Sequence, residues 1–247
     1  MKNLFPTGPT NRTLRGAALA LSLLAGSTAA HGQASTIYGL GITTRTFAAA
    51  GTTYPTGSQV LSRLNPTSPG LTALPLLITG IATGQQLVGL DVRPNTGQVY
   101  ALGYNNTASA SPNAQLYVLN VTTTAVQAVA VGSAITLDLG TSARTDLDGF
   151  NLIVGVGFDF NPRADRIRVT GQNRNNYRLN PNTGALVATD AQLTYAATGN
   201  AVPPPVTPLI GAVAYNNSVA GLVGTTLYDV DQTPNNGIIA TQSTVNA

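Results

Sequence analysis

Apolar and polar residues alternate with period two in two well-separated stretches of the chain. Leu90 and Val92 alternate with Asp91 and Arg93, and Phe158 and Phe160 alternate with Asp159 and Asn161. That period marks half-buried β-strands rather than helices. The first stretch runs into Pro94-Asn95-Thr96-Gly97, where proline presets φ and glycine can take the positive φ of a tight turn. Val99-Tyr100-Ala101-Leu102 then resumes an extended run, so residues 88–102 are predicted to form a hairpin. In the second stretch, residues 166–169 supply the matching return strand. Residues 177–184 (YRLNPNTG) give a third strand ending in an Asx-type turn, and residues 185–188 give a fourth. Residues 48–58, 103–113 and 194–208 are polar and low in complexity, and are predicted to be loops.

The two stretches are copies of one unit. Gly89-Leu-Asp91-Val-Arg-Pro94 aligns without gaps on Gly157-Phe-Asp159-Phe-Asn-Pro162, and Gly211-Ala-Val213-Ala-Tyr215 is a weaker third copy. A second mark, an apolar residue followed by Asn or Asp, recurs at Asn65, Asn120, Asn180 and Asp231, at spacings of 55, 60 and 51 residues. A period of roughly 50 residues suits propeller blades and far exceeds a leucine-rich repeat. The expected fold is therefore all-β, a β-propeller-like array of about four blade repeats, with units near 35–80, 81–140, 150–205 and 206–247. Residues 37–40 resemble a return strand with no leading Gly-x-Asp, so the first unit enters partway through a blade. Residues 234–240 read as a turn and one more strand. Either the ring closes with about four blades, or it is incomplete because the chain is truncated at its C-terminus.

Composition changes the picture first at the N-terminus. Lys2, Arg12 and Arg15 precede a short apolar run at 17–25 (AALALSLLA), followed by small residues up to Ala34. This order is that of a secretory signal peptide, and the run is far shorter than the roughly 20 apolar residues a membrane span needs. Residues 1–34 are thus expected to be the leader, and residues 35–247 a single domain without a transmembrane segment, secreted or held in the cell envelope, extracellular or periplasmic. The whole chain has 12 Lys and Arg against 9 Asp and Glu. Removing the leader removes Lys2, Arg12 and Arg15, which leaves nine arginines facing nine aspartates. A neutral surface offers no electrostatic footprint for nucleic acid or anionic lipid. With no cysteine, the chain must be held by a packed core rather than disulfides, and 43% hydrophobic residues suffice for one.

The segments 155–162 (GVGFDFNP), 165–169 (DRIRV), 177–184 (YRLNPNTG) and 87–94 (LVGLDVRP) together resemble a bacterial secreted family, the domain of unknown function 4394. The resemblance runs from about Ile37 to Asp231. It implies an extracellular or envelope location and a propeller-like fold, and it implies no catalytic residues. It also implies more chain after the final Leu-Tyr-Asp unit, which favours truncation.

The residue inventory closes several kinds of chemistry. After residue 34 there is no His, Cys, Lys or Glu, so catalytic triads and imidazole or thiolate metal sites lack their side chains. Aspartate chemistry remains, either as paired carboxylates or as oxygen ligands for calcium. Asp146 and Asp148, in Arg-Thr-Asp-Leu-Asp-Gly, imitate part of a calcium loop but lack its later acidic ligand. Asp91 and Asp159 either line a central channel or accept backbone hydrogen bonds; their recurrence favours the scaffold role. Arg163, Arg166, Arg168, Arg174 and Arg178 concentrate in one unit, where guanidinium forks would hold an anionic glycan or polymer unless they pair with aspartates or lie solvated.

Three readings of function follow. The first is a non-catalytic binding or structural module without a cofactor, recognising an extracellular glycan or protein. The others are an Asp-dependent carbohydrate hydrolase or lyase, and a calcium-stabilised structural repeat. Export is directly testable. Intact-mass analysis of the exported protein should place its N-terminus near Ser35, and a product retaining residues 17–25 would contradict the leader assignment.

Overall fold

A computed structural model describes residues 36–68, 73–107, 111–140, 143–145, 151–153, 155–196, 207–232 and 237–243. The segment expected to be a leader, residues 1–34, and Asp146 and Asp148 lie outside these residues. All regular structure in the described residues is strand, so they contain no helix long and apolar enough to cross a membrane. The strands run β1 (Ile37–Ile42), β2 (Phe47–Ala49), β3 (Thr52–Tyr54), β4 (Gln59–Leu64), β5 (Leu76–Thr79), β6 (Gln86–Val92), β7 (Val99–Tyr104), β8 (Ala114–Val121) and β9 (Val126–Ala130). They continue as β10 (Ala143–Thr145), β11 (Asn151–Ile153), β12 (Gly157–Asn161), β13 (Arg166–Thr170), β14 (Asn176–Leu179), β15 (Leu186–Asp190), β16 (Ile210–Tyr215), β17 (Leu227–Asp231) and β18 (Ile238–Gln242).

The hairpin expected at 88–102 forms, with Asp91 opposite Tyr100 and Val92 opposite Val99. Its turn is closed by the Gly97 N–H donating to the Arg93 carbonyl, with Gly97 at φ 70°. The four strands read from 157–190 form one antiparallel meander, β12-β13-β14-β15, and β16-β17-β18 forms a three-stranded one. The first two expected units, however, share a single seven-stranded sheet in the order β1-β4-β5-β9-β8-β7-β6. The join is β5, whose Leu-Leu-Ile-Thr lies parallel to the outer strand β9, with Ile78 opposite Val126. The end strands β1 and β6 come side by side without being ladder partners, so this sheet nearly closes, like a barrel.

One expected loop is partly ordered. Within 48–58, β2 and β3 make a hairpin whose Phe47 and Tyr54 rings stack 4.6 Å apart. The Tyr54 hydroxyl donates to the Pro75 carbonyl at 2.8 Å, which ties the hairpin to the entry of β5. The segment is poor in apolar residues, and two aromatic rings supply the packing that its polarity concealed.

Burial follows from sheets stacked face to face. All six residues of β7 are buried. Tyr100, Leu102 and Tyr104 face a core shared with Phe158, Phe160, Ile167, Val169, Tyr177 and Leu179 of the β12–β15 sheet. Val99 and Ala101 face a second core with Leu61, Leu76, Ile78, Leu119 and Val126. Tyr100 and Phe160 meet edge to face across the first core, 5.2 Å between centroids. A bulge between Leu87 and Gly89 turns Gly89 and Asp91 toward β12.

The two repeat glycines make room for the following sheet. A Cβ on Gly89 would overlap the Cβ of Phe158, and one on Gly157 would overlap the side chains of Thr170 and Val213. Each inner strand can therefore lie close against the next. Replacing Gly89 with Val should force Phe158 out of its place and cost about 1–3 kcal/mol, as overpacked cores do. Urea unfolding of Gly89→Val beside the parent chain measures this; equal midpoints would show that β6 and β12 are not in close packing.

Candidate functional site

Strands β6, β12 and β16 lie side by side but belong to different sheets, so they are not ladder partners. Buried backbone N–H groups on such strands still need acceptors. The repeat aspartates supply them. Asp91 accepts its neighbour Val92 N–H through Oδ1 at 2.7 Å, and through Oδ2 the N–H of Phe160 on β12 at 2.8 Å. One unit later, the Asp159 Oδ2 accepts the N–H of Tyr215 on β16 at 2.7 Å. Each carboxyl thus reaches from one sheet to the backbone of the next. Asp91 is 3% exposed and Asp159 7%.

These two carboxyls also hydrogen bond to each other. Burial raises the pKa of both, and for Asp159 the charge of Asp91 raises it further. The contact between them lowers the Asp91 value and raises the Asp159 value. A close pair of carboxyls with raised pKa is chemically suited to acid–base work. Here, however, the pair lies between sheets, and backbone N–H groups hold an oxygen of each carboxyl.

The face of β12–β15 turned away from the apolar core is polar. Arg168 is 1% exposed there. Its Nη1 donates to Asn176 Oδ1 at 2.8 Å and to Asp190, and its Nε donates to the Tyr215 hydroxyl at 3.4 Å. Arg178 joins the same Asp190 at 2.9 Å. Asp229 on β17 is buried nearby, its carboxyl raised to about 6 by burial and drawn back down by the charge of Arg168. Arg166 donates to the carbonyl of Asp165, Arg163 is exposed, and Arg174 adopts φ 71° in a turn. The five arginines therefore occupy several environments, and Arg168 and Arg178 are engaged by Asp190.

Arg93 clamps the turn of one unit to the turn of the next. It forms a bidentate pair with Asp165, and its Nη1 donates to Asn182 Oδ1 at 2.8 Å. The pairing holds the Asp165 carboxyl below its usual range. The Leu-Asn marks divide by role. Asn65 and Asn180 accept the N–H two residues ahead, at 3.0 and 2.9 Å, and close Asx turns. Asn120 is an exposed strand residue opposite Gln127, and Asp231 is buried, accepting the Leu209 N–H and the Tyr195 hydroxyl. Pro94 and Pro162 follow strands β6 and β12 at the start of their turns. Among the described residues, no cluster of three or more His, Cys, Asp or Glu could hold a metal ion.

The sequence profile of the family described as Domain of unknown function (DUF4394) matches residues 60–247. The chain belongs to this family. No curated protein and no solved structure matches it. The match takes in both Gly-x-Asp units of this DUF4394 member, together with every strand they connect.

Sequence reasoning overlooked one surface feature of the DUF4394 chain. A shallow cleft of about 340 Å³ opens beside the β6–β7 turn, lined by Tyr38, Gln98, Val99, Leu119, Asn120 and Thr122 among others, none of them charged. Its walls come from β1, β7 and β8, so no local motif signals it.

The buried acids give stability a definite pH dependence. Asp91, Asp159 and Asp229 bind their protons more tightly when folded. Their contribution is complete below the ordinary carboxyl value of 3.8 and is lost as pH rises through the folded values, about 6 for Asp229. Asp165 acts oppositely, its contribution being lost only as pH falls through its lowered value. The melting temperature should therefore be higher at pH 4.5 than at pH 7.5, by several degrees for a gain on the order of 2 kcal/mol. Asp229→Asn should flatten part of that slope. Calorimetry from pH 4 to 8 checks both, and a melting temperature that rises with pH would refute the assignment.

Proposed function

We propose that this DUF4394 chain is an exported, non-catalytic binding or structural module of the cell envelope, with a β-propeller-like arrangement of its sheets. The observation that carries this reading is how the repeated aspartates are used. Asp91 and Asp159 give carboxyl oxygens to the backbone of the neighbouring sheet and are almost fully enclosed. A general acid or base must be within hydrogen-bond reach of the substrate. These carboxyls instead hold the scaffold together. The propeller-like arrangement is supported by β1, β6, β12 and β16, which lie as a row of inner strands from which antiparallel strands lead outward. Propeller blades are arranged in this way around their axis.

The ligand surface that fits this reading is the uncharged cleft. Tyr38 offers an aromatic face, and Gln98, Asn120 and Thr122 offer amide and hydroxyl groups. That combination suits a neutral polar ligand such as a glycan, because it presents hydrogen bonds and an apolar surface without an unpaired charge. Binding and turnover can be separated by incubating the mature protein with a panel of neutral and anionic polysaccharides. Retention of a neutral glycan without chain cleavage is expected, with Asn120→Ala weakening retention about tenfold at unchanged melting temperature. Cleavage that disappears in Asp159→Asn while the fold persists would establish the hydrolase reading instead.

A further inference from the structure

Side-chain amides at the turns and in the core are spent on the structure itself. Those of Asn65, Asn105, Asn161 and Asn180 accept backbone N–H groups of their own turns, and those of Asn113 and Gln115 donate to backbone carbonyls. The amides of Gln98, Asn120 and Gln127 differ. All three residues are exposed, and their side chains have no hydrogen-bond partner among the described residues.

Register places these three amides in one row. Gln98 directly precedes β7 and lies one step beyond the Val99–Leu119 pair, which brings it level with Asn120 on β8. Asn120 is opposite Gln127 on β9, and Gln127 is opposite Thr79 on β5. Residues opposite one another in a ladder share a face, so the row crosses four adjacent strands at steps of about 4.8 Å. Beside it runs an apolar pair, Val118 opposite Val129, with Val129 42% exposed. Strands β5, β7, β8 and β9 carry no charged residue. Gln98, Val118 and Asn120 also line the uncharged cleft, so the row leads out of it.

We propose that the cleft is one end of a longer track, in which an extended neutral polysaccharide lies across the strands from Gln98 to Thr79; this rests on the glycan reading of the cleft. Three features select that occupant. Each primary amide presents two donors and an acceptor, which matches sugar hydroxyls that both give and receive hydrogen bonds. The strand spacing is close to the repeat of a sugar in an extended chain, so successive sugars meet successive amides. Val118 and Val129 offer contact to the apolar C–H faces of the rings, while the four uncharged strands offer an anionic polymer no counter-charge.

Chain length tests the track separately from the cleft. Calorimetric titration of the mature protein with β-1,4-linked glucose, mannose and xylose oligosaccharides of two to six sugars should show affinity rising about tenfold with length for the chain that binds. Gln127→Ala should remove most of that rise, weakening the longest chain about fivefold and leaving the disaccharide unchanged. Asn120→Ala should weaken every length, and both variants, being exposed, should melt with the parent. Helical α-1,4-linked glucose chains should show a smaller length dependence, because they cannot stay level with a straight row. An affinity independent of length, or a long chain that binds Gln127→Ala as tightly as the parent, would overturn the track and leave the cleft reading standing. Failure of every neutral oligosaccharide to bind would overturn both. A protein dimer that Gln127→Ala dissolves would also overturn the track, assigning the row to a second copy.

Discussion

The carboxyl that reaches from one sheet to the backbone of the next is the constraint around which this protein is arranged. Inner strands β6, β12 and β16 pack side by side without being ladder partners, which would leave buried donors unsatisfied. Asp91 and Asp159 answer the N–H groups of Phe160 and Tyr215, respectively. Enclosing two carboxyls this closely would be costly if both were ionised. Burial shifts both carboxyls toward their neutral form, and backbone donors hold an oxygen of each.

The other parts of the repeat follow from that contact. The hook works only if the two strands approach closely, and Gly89 and Gly157 allow it by leaving space for Phe158 and Val213. Phe158 and Phe160 then fill the apolar side while Asp159 and Asn161 turn to the other, so one strand serves two unlike layers. Between β6–β9 and β12–β15 the layer is a core of aliphatic and aromatic residues. Between β12–β15 and β16–β18 it is largely polar, held by Arg168, Asn176, Asp190 and Tyr215. In β16 the position matching Asp159 is Val213, so the series of hooks ends at that strand.

This arrangement bears on function because it occupies the recurring carboxylates Asp91 and Asp159. A recurring acidic residue in a chain lacking histidine, cysteine and lysine after residue 34 looks at first like reserved chemistry. Held between sheets, it serves assembly, and in the proposed reading recognition falls to a feature that no repeat position marks, the cleft beside Tyr38. None of the residues lining that cleft is charged, in keeping with the balanced charge of the chain after residue 34.

Local pattern was enough for several of the strands. Period-two alternation located β6 and β12, and Pro-Asn-Thr-Gly located the turn after β6, because these depend on residues close together in the chain. The scaffold role of Asp91 and Asp159 was legible from their recurrence, but their partners were not, since Phe160 and Tyr215 lie 69 and 56 residues away. The parallel seating of β5 on β9, the pairing of Arg93 with Asp165, and the enclosure of Arg168 by Asp190 and Tyr215 were equally hidden. A charged residue on a strand reads the same whether its face meets water or another sheet. Only the stacking of the sheets decides which, because burial is a property of what lies opposite and not of the residue itself.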